Sequence, residues 1–204
     1  MKNLLLLLVV FNCKAQDTLV FIKPDLFKRN YLEIGHGKPQ GELQNKYEGS
    51  FNVGYWVRNK VNRNQFIDIG LELDFLSKSR PIDYNYQNES LNLLPNDIGM
   101  QIGVRYSKIL YLNAHNHNFY AETNSGLGWG ALFYKKTEEI KNREIDFDSN
   151  INTIYLEQTI KFHYKSLGFY VQYKYIPYSL FNRKIENNFG NTSLNIGLTK
   201  GFNL

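Results

Sequence analysis

The chain has 204 residues, a formal net charge of +5 and a mean hydropathy of -0.43, with an unusual aromatic load of 15 Tyr and 14 Phe. One cysteine, Cys13, excludes a disulfide framework, and no apolar run approaches the roughly 20 residues of a membrane-spanning helix. The positive charge is scattered over polar segments without a basic patch interleaved with stacking aromatics, so no nucleic-acid partner is expected.

The N-terminus, MKNLLLLLVVFNCKAQ, has basic Lys2, an apolar run from Leu4 to Phe11, and small residues at Cys13 and Ala15. That is the build of a secretory signal peptide over residues 1–15, cleaved before Gln16, which leaves a mature chain without cysteine. Acylation of Cys13 as a lipoprotein is the alternative, with Asn12 standing where a small residue is usual. Residues 16–30 form an N-terminal segment, either a periplasmic tail or a piece that tucks Leu19, Phe21 and Ile22 against the mouth of the main domain.

From residue 31 onward apolar and polar residues alternate with period two, the mark of strands with one apolar face. Leu32 and Ile34 begin the first, near 31–36, and Phe51, Val53, Tyr55 and Val57 define the second, near 50–58. The stretch QFIDIGLELDF makes the third, near 65–76, and Ile98, Met100, Ile102, Val104 and Tyr106 the fourth, near 97–107. The fifth, near 118–134, is diluted on its apolar side by Ala121, Thr123 and Ser125, which mark either a protein contact or a tolerated polar patch. Ile154, Leu156, Ile160 and Phe162 carry the sixth, near 151–163, with Gln158 an awkward exception. Phe169, Val171, Tyr173 and Tyr175 carry the seventh, near 167–177; Leu194, Ile196, Leu198, Phe202 and Leu204 carry the eighth, near 192–204, with Lys200 on the same side. Long polar connections at 37–48, 77–96, 135–149 and 178–191 alternate with shorter ones such as NKVNRN and HYKS. An even number of strands with one elaborated and one trimmed rim predicts an all-β, eight-stranded, antiparallel up-and-down barrel over residues 31–204.

Alternation alone does not say which face is inside, since a soluble lipocalin-like barrel binding a hydrophobic ligand has the same pattern. The polar side is crowded with Gly54, Gly70, Gly103, Gly128, Gly168 and Gly197, as a narrow eight-stranded interior requires. Its charges carry both signs and can pair in a closed lumen: Glu33, Asp68, Glu72, Asp74, Asp97, Glu122 and Glu157 against Arg58, Arg105, Lys161 and Lys174. Aromatics sit near the ends of the apolar rows, at Phe75, Tyr106, Phe119, Phe133, Phe162, Tyr175 and Phe202, as belts at two membrane interfaces would. These features predict a transmembrane barrel with its apolar face on lipid. With this pattern the chain resembles the small outer-membrane β-barrels of the OmpA transmembrane-domain and OmpX type. The resemblance covers essentially the whole mature chain and rests on pattern. It implies Gram-negative outer-membrane localisation, with both termini in the periplasm, and recognition by the barrel-assembly machinery, although the terminal residue is Leu204 where the family ends on an aromatic.

The expected role is structural, in the cell envelope, or surface interaction through the long loops with an unidentified extracellular partner. Bulky Tyr31, Trp56, Tyr120, Tyr155 and Tyr170 on the inner side predict a filled lumen that does not conduct. The loop cations Lys38, Lys46, Lys78, Arg80, Lys135, Lys136, Arg183 and Lys184 are either simply solvated or contact lipopolysaccharide phosphates. An enzyme is not expected; the alternative is a lipid A-modifying acyl hydrolase or acyltransferase built on His36 and Ser50 with Glu48 or Glu33 as orienting acid, although no nucleophile elbow is present. His115 and His117 have a bridging spacing but lack further ligands, and His163 reads as an interfacial turn residue, so no metal or cofactor is expected.

Overall fold

The computed structural model describes residues 28–86, 89–111, 118–135, 150–181 and 192–203. Residues 1–27, His115, His117, the cations Lys136, Arg183 and Lys184, and Leu204 lie outside the described residues.

Nine antiparallel strands are present among the described residues: β1 (Asn30–Gln40), β2 (Gly49–Asn62), β3 (Gln65–Ser77), β4 (Ile82–Tyr86), β5 (Glu89–Tyr111), β6 (Phe119–Lys135), β7 (Asn150–Tyr164), β8 (Leu167–Tyr175) and β9 (Thr192–Phe202). A 3-10 turn, Gly41–Asn45, follows β1, and a one-turn helix, α1 (Tyr178–Phe181), follows β8. The order β3-β2-β1-β9-β8-β7-β6-β5 closes on itself through direct β3–β5 pairing, so eight strands form a barrel with no free edge. Ring neighbours are chain neighbours except at β3–β5, between which β4 is inserted, and at the closing pair, where the first and last strands pair along their whole length from Asn30↔Phe202 to Gln40↔Thr192.

One rim is trimmed. Two-residue turns at Arg63-Asn64 and Lys165-Ser166 join β2 to β3 and β7 to β8 there, and both ends of the barrel sequence meet at the same rim, where the Arg29 amide donates to Asn203 Oδ1 over 3.0 Å. The other rim carries the long connections, and there the fold departs from the sequence expectation. The segment 77–96 holds β4 and the start of β5, which pair from Ile82↔Leu93 to Tyr86↔Glu89 as a hairpin rising beyond the ring. Apolar Ile82, Tyr84, Leu91 and Leu93 occupy one face of that hairpin, and all are buried. They pack with Leu43 of the 3-10 turn, Tyr47, Tyr178 of α1, and Leu132, Tyr134 and Ile151 of the barrel strands into an apolar cap.

Within the ring, burial follows strand parity, but inverted. Leu127 is 64% exposed and Leu198 58%, on the outside, whereas Arg105 and Glu122 are 0% exposed, on the inside. Leaving one large aliphatic side chain in water when it could be in hydrocarbon forgoes about 1.5–3 kcal/mol. Repeated along every strand, that cost makes the outer surface one for lipid. Gln158, the awkward residue on this surface, accepts a 2.7 Å hydrogen bond through Oε1 from the Ser125 hydroxyl directly opposite on β6.

The glycines on the inner side have a specific use. Gly35 of β1 and Gly197 of β9 lie opposite each other, with Tyr170 of β8 beside Gly197, and the Tyr170 ring lies across both; a Cβ on Gly197 would come within 2.7 Å of that ring. Tyr155 lies in the same way over Gly103 and Gly128, and Trp56 over Gly70. Large rings thus fill the lumen by lying flat over strand backbone that has no side chain in the way.

Candidate functional site

Strand register sets which charged side chains share a level of the lumen. Arg58 and Asp68 are opposite on β2 and β3, and Asp68 in turn faces Arg105 on β5. Glu122 and Lys161 are opposite on β6 and β7, and Glu157 faces Lys174 on β8. Side chains this long in a narrow barrel also reach across it, so the bonds made are only partly those between register neighbours.

Two arginines organise the network. Arg58 donates through Nε and Nη2 to both oxygens of Asp68 at 2.7 Å each, and through Nη1 and Nη2 to Glu122 at 2.8 and 2.6 Å. Its guanidinium lies over the rings of Tyr31, 4.3 Å away, and Phe66, 4.9 Å away. Arg105 sits at the centre, stacked 3.4 Å over Trp56, paired with Glu157, donating to Glu33 Oε2 at 2.8 Å, and 3.6 Å from Glu72. Lys161 bonds Glu33 at 2.5 Å and lies 3.7 Å from Glu122. Lys174 donates to Glu72 at 2.5 Å and to the Gln101 carbonyl at 2.9 Å. Neutral groups complete the shells: Ser107 donates to Asp68 at 2.7 Å, Asn124 to Glu122 at 2.7 Å, and Gln172 to Glu157 at 2.9 Å. Breaking such a buried pair from one side leaves an uncompensated charge and costs about 3–5 kcal/mol, so the network specifies one arrangement of the strands.

Ten of the eleven charged residues read as luminal are therefore brought together. Asp97 is not. Its backbone has φ of 58°, it is exposed, and the β5–β6 register shifts between Pro95 and Gly99, so this irregularity takes it out of the alternation that placed Gly99 and Gln101 inside.

The histidine readings also change. His163 is no surface turn residue: it is fully buried inside β7, stacked on Tyr120 with ring centroids 4.6 Å apart and edge-on to Tyr31 at 6.3 Å, with Nε2 3.8 Å from Glu122. With Phe66, Ile109 and Tyr120 it closes the short-turn end of the lumen. His36 projects from the outer surface and Ser50 is buried in the lumen, so the barrel wall separates the two halves of the expected dyad. Glu48 is at the rim, in a 2.8 Å exposed ion pair with Lys78, and Glu33 is deep in the network. Ser50 therefore has neither His36 nor Glu48 as a partner; its hydroxyl accepts instead from the Asn52 amide.

The described lumen thus consists of three layers: an aromatic floor, a charged middle and an apolar cap. Sequence reasoning missed the cap, although Ile82 and Tyr84 alternating with Asp83 and Asn85 was a legible signal of β4. Among the described residues no group of three or more His, Cys, Asp or Glu is placed to hold a metal ion.

No protein-family model matches the chain, and no curated protein matches it in sequence. Solved structures do match. Neisserial surface protein A is similar over 85% of this chain and 96% of its own, at 13% identity and a TM-score of 0.51. The fold is that of the small eight-stranded outer-membrane β-barrels. The Yersinia pestis outer-membrane protein Ail, determined in a phospholipid bilayer nanodisc, aligns over 86% of this chain and 100% of its own at 12% identity, with a lower TM-score of 0.45.

Proposed function

We propose that this chain is an integral outer-membrane protein of the cell envelope, with a lumen sealed at both ends, that acts structurally or through its long-loop rim. The observation that carries the reading is the inversion of the barrel: charged side chains fill the interior and aliphatic ones form the exterior. A lipocalin-like reading needs an apolar interior for its ligand, and here the middle of the barrel is occupied by ion pairs. The fold shared with Neisserial surface protein A supports the same location. In this reading residues 1–15 are a cleaved signal, the short-turn rim and both termini face the periplasm, and the cap, β4 and α1 face outward. Membrane lipid, lipopolysaccharide and the assembly machinery are its general partners.

The test is fractionation of expressed protein, then gel mobility with and without boiling. Outer-membrane recovery with a heat-modifiable band is expected; soluble periplasmic protein would overturn the reading. The filled lumen further implies no sustained single-channel steps in a planar bilayer, since large rings and ion-paired side chains occupy it.

A further inference from the structure

Among the described residues, buried charge in the lumen does not balance. The acids Glu33, Asp68, Glu72, Asp74, Glu122 and Glu157 number six, the cations Arg58, Arg105, Lys161 and Lys174 number four, and the difference is two negative charges. Asp74 makes no ion pair among the described residues: its oxygens accept from the side-chain amides of Asn52 and Gln101. Glu72, its neighbour on the same side of β3, takes Lys174. The upper lumen therefore has Glu72 and Asp74 against one lysine, an excess of one negative charge in a region closed from above by the cap.

A cavity of about 10 Å³, room for a single water-sized occupant, lies at this place, with Ser50, Asn52, Asp74, Gln101, Lys174 and Asn195 in its wall. Asn52 is 2% exposed, and its Oδ1 is buried with no hydrogen-bond partner. Its orientation is fixed, because Nδ2 donates to Asp74 and, over 3.2 Å, to Ser50 Oγ; the reversed amide would set its oxygen against the carboxylate. An acceptor without a donor, a carboxylate whose one nearby cation is already paired with Glu72, and a space of one ion's size thus coincide.

We propose that this cavity binds one monovalent cation, of the sodium type, held by the Asn52 amide oxygen and the Asp74 carboxylate. One carboxylate with neutral oxygens suits a hard cation, and the neighbouring Lys174 ammonium disfavours a divalent one. Occupancy cancels the local excess charge and joins the charged middle layer to the cap.

The experiment is thermal unfolding of the purified protein in zwitterionic micelles at constant ionic strength, with N-methylglucamine chloride replaced stepwise by lithium, sodium, potassium or caesium chloride. A ligand bound only by the folded state raises the midpoint with its concentration. The expected result is a rise selective for one small cation, lost in Asp74→Asn, which removes the excess charge, and lost again in Asn52→Ala, which leaves all charges in place. Equal midpoints across the cation series would overturn the proposal in favour of a water. A selective rise that persists in both variants would also overturn it. Should a variant fail to fold, the wild-type series alone decides between a selective and a flat response.

Discussion

Replacing Arg105 with Met tests the central pair network at the point where its consequences are easiest to count. Three acids touch the guanidinium, but they do not lose equally. Glu33 keeps Lys161 at 2.5 Å and Glu72 keeps Lys174 at 2.5 Å. Among the described residues Glu157 keeps one hydrogen bond, from the Gln172 amide at 2.9 Å, and no ion pair, so the substitution strands one buried carboxylate. That costs about 3–5 kcal/mol, and loss of the stacking on Trp56 adds about 0.5–2 kcal/mol. Adding Glu157→Met removes the stranded charge, and the double variant should regain most of the difference, because an apolar replacement of a buried pair is often neutral. The assay is equilibrium unfolding by guanidinium in lipid bilayers, read by tryptophan fluorescence, to which Trp56 reports directly. A loss below about 1 kcal/mol in the single variant, or a double variant no better than the single, would refute the claim that these charges are dry and mutually dependent.

Three other substitutions or titrations probe the wall, the filling and the cap. Leu71→Arg at the middle of β3, where Leu71 is 43% exposed on the outer surface, should lower folding stability in liposomes by about 2–4 kcal/mol, as a cation at the bilayer midplane does; refolding yield checks it. Gly197→Val puts a side chain against the Ile34 carbonyl, the Gly35 Cα and the Tyr170 ring, and should abolish the heat-modifiable band; Tyr170→Ala should not restore it, because the two closest contacts are backbone. In the cap, burial pushes the Tyr47 and Tyr178 phenols above their ordinary range, with Tyr178 acting on Tyr47, and Asp74 on both, in the same direction. The folded state then keeps protons that the unfolded chain releases above about pH 10, so this contribution is intact at neutral pH and is lost as pH rises from there toward the folded-state values. Spectrophotometric titration should show a late-ionising fraction of tyrosines, and Tyr47→Phe with Tyr178→Phe should reduce that fraction by two phenols.

Period-two patterning made the ring legible because one face of every barrel strand meets a single solvent. The stretch from Ile67 to Phe75 alternates without a break and appears as one unbroken strand. The same parity that sets Leu32 and Ile34 outward sets His36 outward, and the parity of Phe51 and Val53 sets Ser50 inward, so the separation of that dyad was already written in the alternation. What patterning could not supply was register. Arg105 meets Glu33 and Glu157 through the lumen, across strands distant in sequence, and no local signal encodes that. Asp97 was misplaced because a positive φ and a register shift interrupt the alternation locally. The β4–β5 hairpin was overlooked because its polar residues made 77–96 read as one solvated loop, while its four apolar side chains turn inward to cap the mouth. His163, two residues from a short turn, is inside because the strand extends to Tyr164.

The claim on which everything else rests is the direction of the faces, and a scan of β3 tests it most directly. Single cysteines at positions 67 to 74, spin-labelled in protein reconstituted into bilayers, report accessibility to oxygen, which enriches in hydrocarbon, and to a polar nickel reagent. Labels at Ile67, Ile69, Leu71 and Leu73 should show high oxygen accessibility, while those at Asp68, Gly70, Glu72 and Asp74 should be shielded from both reagents. High oxygen accessibility at the even positions, or high nickel accessibility at the odd ones, would contradict the inverted barrel.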